Sequence, residues 1–249
     1  MAPHLSIIIP VYNEGDNFPS LWARLSSQIR CDFTAFVIYD FDEDDTLPVI
    51  ERLIARGEKR IHLVKNNVRA GVVGAILSGF NQIDDGPILV LMADLSDDLS
   101  QVDSMLALYQ RGYQVVVGSR YMKGGRLEGG PRFKQFLSRM AGLTLCWFRG
   151  IPTHDATNAF KIYDRGMLKS FVIESQAGFE LNLELTVKAF LAGYHIAEVP
   201  ATWRARGAGK SRFRLWAWLP RYLRWYFYAF QPRRARRPLG TMNDRAERR

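Results

Sequence analysis

Leu5-Ser6-Ile7-Ile8-Ile9-Pro10-Val11-Tyr12-Asn13-Glu14 is an apolar run that stops abruptly in polar residues. A run of that length, bounded by a turn signal, reads as a strand buried on both faces, the kind found in a parallel sheet. The same punctuation recurs. Thr34 to Tyr39 is apolar and Asp40 follows at once. Ile61 to Val64 is a third run, Pro87 to Met92 a fourth that stops at Asp94, and Gln114 to Gly118 a fifth. Between them Phe18 to Ile29, Leu47 to Arg56, Gly71 to Ile83 and Val102 to Arg111 carry helical spacing. Alternating strands and helices predict an α/β fold: a doubly wound, mostly parallel sheet whose ligands bind beyond the strands' carboxyl ends. The polar clusters after Val11, Tyr39, Met92 and Gly118 fall at those ends.

Further along the pattern loosens. Lys123 to Pro131 reads as a Gly-rich loop, either a lid over a ligand or a plain turn, and Phe133 to Phe148 as a helix. His154 to Tyr163 reads as an irregular stretch entering a short strand, Glu180 to Ala192 as an amphipathic helix, Ile196 to Trp203 as a strand, and Arg204 to Arg212 as a basic loop. The expected organisation is one α/β domain over 1–212, an amphipathic helical extension over 213–231, and a basic disordered tail over 232–249.

The 249 residues are 47% hydrophobic and 24% charged, which permits a normal core and argues against wholesale disorder. The formal charge of +9 is concentrated from Arg204 onward, and the rest is nearly balanced. That charge favours anionic partners such as lipid or phosphorylated substrates. No recognition motif accompanies it, so no nucleic-acid partner is expected. Cys31 and Cys146 lack CxxC spacing, and the N-terminus shows no basic segment leading into a long apolar one. A reducing, cytoplasmic setting without signal peptide or transmembrane helix is the expectation.

Several motifs resemble family 2 glycosyltransferases, inverting enzymes of the GT-A fold. Ile7-Ile8-Ile9-Pro10-Val11-Tyr12-Asn13-Glu14 resembles the family's opening strand. Asp40, then Asn66, Arg69 and Gly71, then Asp94, then Gly118-Ser119-Arg120-Tyr121 follow in the family's order. Asp155 to Phe160 is similar to the family's Asp-x-x-Ser-Gly-Phe, with Asn158-Ala159 in place of Ser-Gly. Glu198-Val199-Pro200 precedes Arg204, Gly207 and Lys210 at the family's Arg-x-x-Gly-x-x-Lys spacing. Within the family the resemblance is nearest to dolichol- and polyprenyl-phosphate sugar transferases.

The resemblance implies a UDP- or GDP-linked sugar as donor and a polyprenyl phosphate as acceptor, with a glycan or small metabolite as the alternative acceptor. Pro10, Tyr12, Glu14, Asp40, Asn66, Arg69 and Gly71 would line the nucleotide site. At strand ends, Glu14 and Asp40 suit acceptance from a ribose hydroxyl and a base N–H, although Glu14 also suits a helix cap. A leaving diphosphate is normally held by Mg2+ or Mn2+ on hard oxygen ligands, here Asp94 with help from Ser96 or Asp97. The family's Asp-x-Asp is Met92-Ala93-Asp94 in this chain, and a thioether does not replace a carboxylate for such ions. One reading of that change is a nucleotide-sugar-binding scaffold without turnover. Asp155 is the candidate base, or the group that orients a cation. Arg120, Lys134, Arg204, Arg206 and Lys210 are candidates to hold an acceptor phosphate. Asp42, Glu43, Asp44 and Asp45 read as solvated or helix-start acids. Gly209-Lys210-Ser211 lacks the context of a phosphate-binding Walker loop.

Phe213 to Phe230 is rich in tryptophan, tyrosine and phenylalanine, with Arg214, Arg221 and Arg224 in one angular sector. Pro220 predicts a kink or a second helix. Arg233, Arg234, Arg236 and Arg237 follow. This pattern suits a helix lying on an anionic membrane surface at the inner face, with a cover for the domain or a homo-oligomer contact as alternatives.

Overall fold

The structure is a computed structural model and describes residues 3–176, 178–205 and 215–232. Its first half follows the alternating plan: β1 (Leu5–Pro10), α1 (Phe18–Gln28), β2 (Phe33–Tyr39), α2 (Leu47–Ala55), β3 (Ile61–Lys65), α3 (Val72–Phe80), β4 (Pro87–Val90), a 3-10 turn at Leu99–Gln101, α4 (Val102–Gln110) and β5 (Val115–Ser119). The second half has β6 (Arg126–Glu128), α5 (Arg132–Arg149), β7 (Lys161–Asp164), α6 (Arg165–Lys169), α7 (Glu180–Leu191), β8 (Ile196–Pro200), β9 (Thr202–Arg204) and α8 (Leu215–Tyr228).

Seven strands form the main sheet in the order β3-β2-β1-β4-β7-β5-β8. All neighbours are parallel except β7, which runs antiparallel to both β4 and β5. An antiparallel strand begins where its neighbours end, so the segment before Lys161 emerges at the carboxyl edge of β4 and β5. Lys161 is in register with Val90 on one side and Val117 on the other. Asp155 therefore arrives at the ligand edge by a route that alternation alone does not reveal.

The core lies on both faces of the sheet, because successive strand side chains point to opposite sides. Ile8 packs on the face covered by α3, α7 and α8, and Ile7 and Ile9 pack on the face covered by α1 and α4. Helix α3 lies close to β1: a Cβ at Gly79 would come within 2.7 Å of Ile8 Cγ2.

Three expectations change. The Gly-rich stretch contains β6, which pairs in parallel with β9 as a small second sheet. The single strand expected over Ile196 to Trp203 is therefore two, one in each sheet. Pro220 neither starts a second helix nor splits the first, and α8 is continuous through it. It sits in the second turn, where losing one backbone donor removes a single hydrogen bond near a helix end. Trp225 on α8 and Ala229 just beyond its end are buried in the main core, so the helix does cover the domain. Arg206, Gly207 and Lys210 of the basic loop, Arg214, and the arginines from Arg233 onward lie outside the described residues.

Candidate active site

The ends of β1, β2 and β3 build one wall. Asp40 accepts from Asn66 Nδ2 at 2.7 Å and from the Gly71 N–H at 2.7 Å. Asn66 Nδ2 also donates to the Arg69 carbonyl. Asp40 thus holds the 66–71 loop closed against β2, with both carboxylate oxygens engaged. Arg69 reaches away to the Ser175 carbonyl before α7. Glu14 is buried and accepts from Asn17 Nδ2 at 2.6 Å. Tyr12 is exposed beside Phe41, ring centroids 5.0 Å apart and edge to face. Asp44, read as a solvated or helix-start acid, lies just before α2 and is buried, where it accepts from the Asn13 and Thr46 N–H groups and locks the β1 and β2 loops together. Asn13 adopts positive φ at 52° in that lock. Asp42 is exposed and pairs with Lys65.

The loop after β4 forms the floor. Asp94 Oδ1 accepts from Ser96 Oγ at 2.6 Å and from the Ser96 N–H at 3.1 Å. Leu95 between them has φ 61°. Arg24 on α1 donates to the Leu95 and Asp97 carbonyls, and the Arg204 N–H donates to the Ser96 carbonyl at 2.9 Å, so the loop is held from two sides. The helix start nearby is capped by Asp98, not Asp94. Asp97 is 6% exposed, and its Oδ2 has no partner. Burial, with Asp94 adding to it, pushes the Asp97 pKa up to about 7 against the pull of Arg120.

Opposite stands Arg120, following β5. Its Nε donates to Asp155 Oδ2 at 2.7 Å and its Nη2 to Oδ1 at 2.8 Å, a two-pronged pair with Asp155 fully buried. The Arg120 N–H, Ser138 and Thr157 complete the cluster. Burial works against the Arg120 charge, and Asp155 more than offsets it, so its pKa is raised. Lys161 is fully buried beneath, donating to the Ala156 and Asn182 carbonyls and to Thr186 Oγ1. Burial pushes its pKa down to about 7, opposed by Asp155 and assisted by Arg120. Helix α5 presses on the Asp155 segment: a Cβ at Gly142 would lie 2.0 Å from the His154 carbonyl oxygen.

The profile of Glycosyl transferase family 2 matches residues 6–171. The chain belongs to that family. It is a glycosyltransferase, and its sheet has the GT-A arrangement. The chain is 28% identical over 211 residues to the polyprenol monophosphomannose synthase of Mycolicibacterium smegmatis, covering 83% of this chain and 79% of that protein. It is 25% identical over 215 residues to the dolichol-phosphate mannosyltransferase of Pyrococcus furiosus, covering 84% of this chain and 59% of that protein. Among solved structures, glucosyl-3-phosphoglycerate synthase from Mycobacterium tuberculosis, in complex with Mn2+, UDP and glucosyl-3-phosphoglycerate, superposes with a TM-score of 0.67 at 16% identity, covering 93% of this chain and 81% of that one.

Of the family 2 positions anticipated from the sequence, Asp40, Asn66, Arg69 and Gly71 form one hydrogen-bonded unit. Asp94 and Ser96 form another, and Arg120 and Asp155 a third. Lys134 lies in the first turn of α5. Arg204 carries its side chain to Glu128 across the small sheet, at 3.0 Å, and reaches the Asp94 loop through its backbone. Pro10 closes β1. His154 turns its Nδ1 to Glu198 Oε1 at 2.5 Å, while Glu198 Oε2 accepts from the His154 N–H and Thr153 Oγ1. That pair props the Asp155 turn. Ser138, Thr157 and Lys161 carry no separate sequence signal, because single polar residues on helices and strands are common.

Proposed function

We propose that this glycosyltransferase moves a sugar, with inversion, from a nucleotide-diphosphate sugar to a polyprenyl phosphate at a membrane surface. The observation that carries the choice of acceptor is the commitment of Asp155. Both of its oxygens are engaged by Arg120, and it is fully buried. A sugar-alcohol acceptor needs a base within reach of its proton. A phosphate acceptor is already an anion and needs positive charge to orient it, and Arg120 fixed by Asp155 suits that role. The names of the two curated relatives favour the same acceptor.

The donor reading rests on the wall formed by β1, β2 and β3. The exposed ring of Tyr12, braced by Phe41, offers a stacking surface for the base. Asp40 and Asn66 shape the ribose side, and Glu14, after β1, is the other carboxylate offered to the nucleoside. The donor set around Asp94 fits Mg2+ or Mn2+: it is hard oxygen, and such ions use one or two carboxylates while keeping waters and substrate phosphates. Among the described residues no group of three or more His, Cys, Asp or Glu side chains is arranged to hold an ion. When bound, the ion supplies positive charge against the growing charge of the leaving diphosphate. The acceptor phosphate oxygen attacks the anomeric carbon from the face opposite the diphosphate. A new C–O bond forms as the old one breaks, and the nucleoside diphosphate leaves.

The membrane reading rests on an exposed apolar face. On α5, Phe133, Phe136, Trp147 and Phe148 are exposed, and on α8 Leu223 and Phe227 are. The two helices adjoin: Tyr226 Oη bonds Thr144 Oγ1 at 2.9 Å, and Arg149 donates to the Ala229 carbonyl. Large exposed aromatics on neighbouring amphipathic helices suit the interface of a bilayer. Among the described residues no helix is long and apolar enough to cross one. Peripheral binding, at the cytoplasmic face, is part of the same proposal.

The test is transfer from radiolabelled UDP- and GDP-sugars to a polyprenyl phosphate in anionic vesicles with Mn2+. A lipid-soluble labelled product is expected. Transfer only to soluble phosphates or glycans would replace the acceptor, and donor binding without any transfer would replace the enzyme reading for this chain.

A further inference from the structure

We infer that Asp97 supplies the carboxylate that Met92 does not, so that the divalent ion is held by Asp94 and Asp97 in place of an Asp-x-Asp pair. The inference rests on the proposed metal-assisted transfer.

Four observations on this chain carry it. Asp97 is a carboxylate only 6% exposed, yet its Oδ2 has no hydrogen-bond partner. A buried carboxylate oxygen without a partner is costly and calls for a compensating group that is present in the working state. The carboxylate stands among the groups of the transfer site, sensing the charge of Asp94 on one side and of Arg120 on the other. The Met92 N–H is directed at it, so it occupies the space beside the backbone of the very residue whose side chain has become a thioether. Its backbone is pinned by Arg24 through the Asp97 carbonyl, and Leu95, between residues 94 and 97, has positive φ at 61°.

The chemistry is consistent. Two like carboxylates close together without a cation between them repel each other, and a divalent ion converts that repulsion into binding. Ser96, between them, already donates its hydroxyl to Asp94. Its role is to orient Asp94, and the two carboxylates do the ligation. The loss of an acid at position 92 and the presence of one at position 97 are, on this account, a single relocation of charge by a few residues along the same loop.

The experiment measures Mn2+ binding directly, by electron paramagnetic resonance of the free ion, with UDP or GDP present and no turnover required. The proteins are wild type, Asp97→Asn, Met92→Asp and the Met92→Asp/Asp97→Asn double variant. Asp97→Asn is expected to weaken Mn2+ binding by about 10–100-fold, the range seen when support for a metal site is removed. Met92→Asp should restore most of that loss in the Asp97→Asn background and change wild type by less than about threefold, since the two positions serve one ligand place. Equal effects of Met92→Asp in both backgrounds, or unchanged binding in Asp97→Asn, overturn the assignment of Asp97 while leaving the metal reading intact. Failure of wild type to bind Mn2+ with any nucleotide overturns both. Should Asp97→Asn fail to fold, Met92→Asp alone still decides: a gain of tenfold or more in wild type means the first ligand place was vacant.

Discussion

Arg120 and Asp155 grip each other through two parallel hydrogen bonds, 2.7 Å and 2.8 Å long, although they stand 35 residues apart and arise from strands of opposite direction. The guanidinium is fixed in plane, with Ser138 and Thr157 at its edge. A cation held that firmly is prepared to meet a phosphate without reorganising. Removing one partner should hurt more than removing both. Asp155→Ala leaves a buried unpaired guanidinium and should lower stability by about 3–5 kcal/mol, and Arg120→Ala/Asp155→Ala should lose less than Asp155→Ala alone. Denaturant unfolding of the three proteins checks this, and transfer activity should be lost in all of them.

Gly142 sets how close α5 comes to the Asp155 turn. Its missing side chain leaves room for the His154 carbonyl, which a Cβ would approach to 2.0 Å. Gly142→Ala should push the helix away, tilt Asp155 and Arg120, and cut kcat by at least tenfold with little change in nucleotide Kd. Kinetics beside calorimetric titration of UDP and GDP separates the two. An unchanged kcat would show that the turn tolerates the shift.

Glu58 gives a pH signature away from the site. Hydrogen bonding by Arg60, with the Trp22 indole adding to it, holds its pKa at about 2, below the ordinary glutamate value. The folded state therefore binds that proton less readily than the unfolded chain. The contribution is present above the unfolded value near 4.3 and is lost as pH falls toward 2. Glu58→Gln should be less stable than wild type by about 1 kcal/mol at pH 6, a figure reduced for the partly exposed Arg60, and the gap should close by pH 2. Thermal unfolding across that range measures it.

The apolar face of α5 and α8 predicts a separable defect. Phe136→Asp/Phe227→Asp should abolish sedimentation with anionic vesicles while leaving calorimetric nucleotide binding within about twofold, because neither ring touches the nucleotide wall. Raising the salt should weaken the wild-type binding, through screening of its basic residues. Unaltered vesicle binding would move the membrane contact elsewhere on the chain.

Asp40→Ala should open the 66–71 loop, because Asn66 and the Gly71 N–H lose their shared acceptor. A rise in nucleotide Kd of about tenfold is expected, from a lost charge-assisted contact of about 1.5 kcal/mol. Calorimetry on the variant checks it.

Much of this protein was legible from its residues alone. The runs ending at Pro10, Tyr39 and Asp94 gave the parallel strands, because a strand buried on both faces must be apolar and its end must meet water or ligand. The acids and arginines at those ends announced the site, since polar groups gather where the strands stop. The tertiary structure alone decided how they pair. The reversal of β7 delivers Asp155 to Arg120, a relation between strands that no local pattern encodes. The burial of Asp44 likewise depends on loops from different strands folding together, so a residue read as a solvated or helix-start acid is enclosed by packing. The aromatic extension read as one apolar surface, and the fold divides it: Trp225 goes to the core while Phe227 stays exposed, because a helix shows only one side to the domain it packs against.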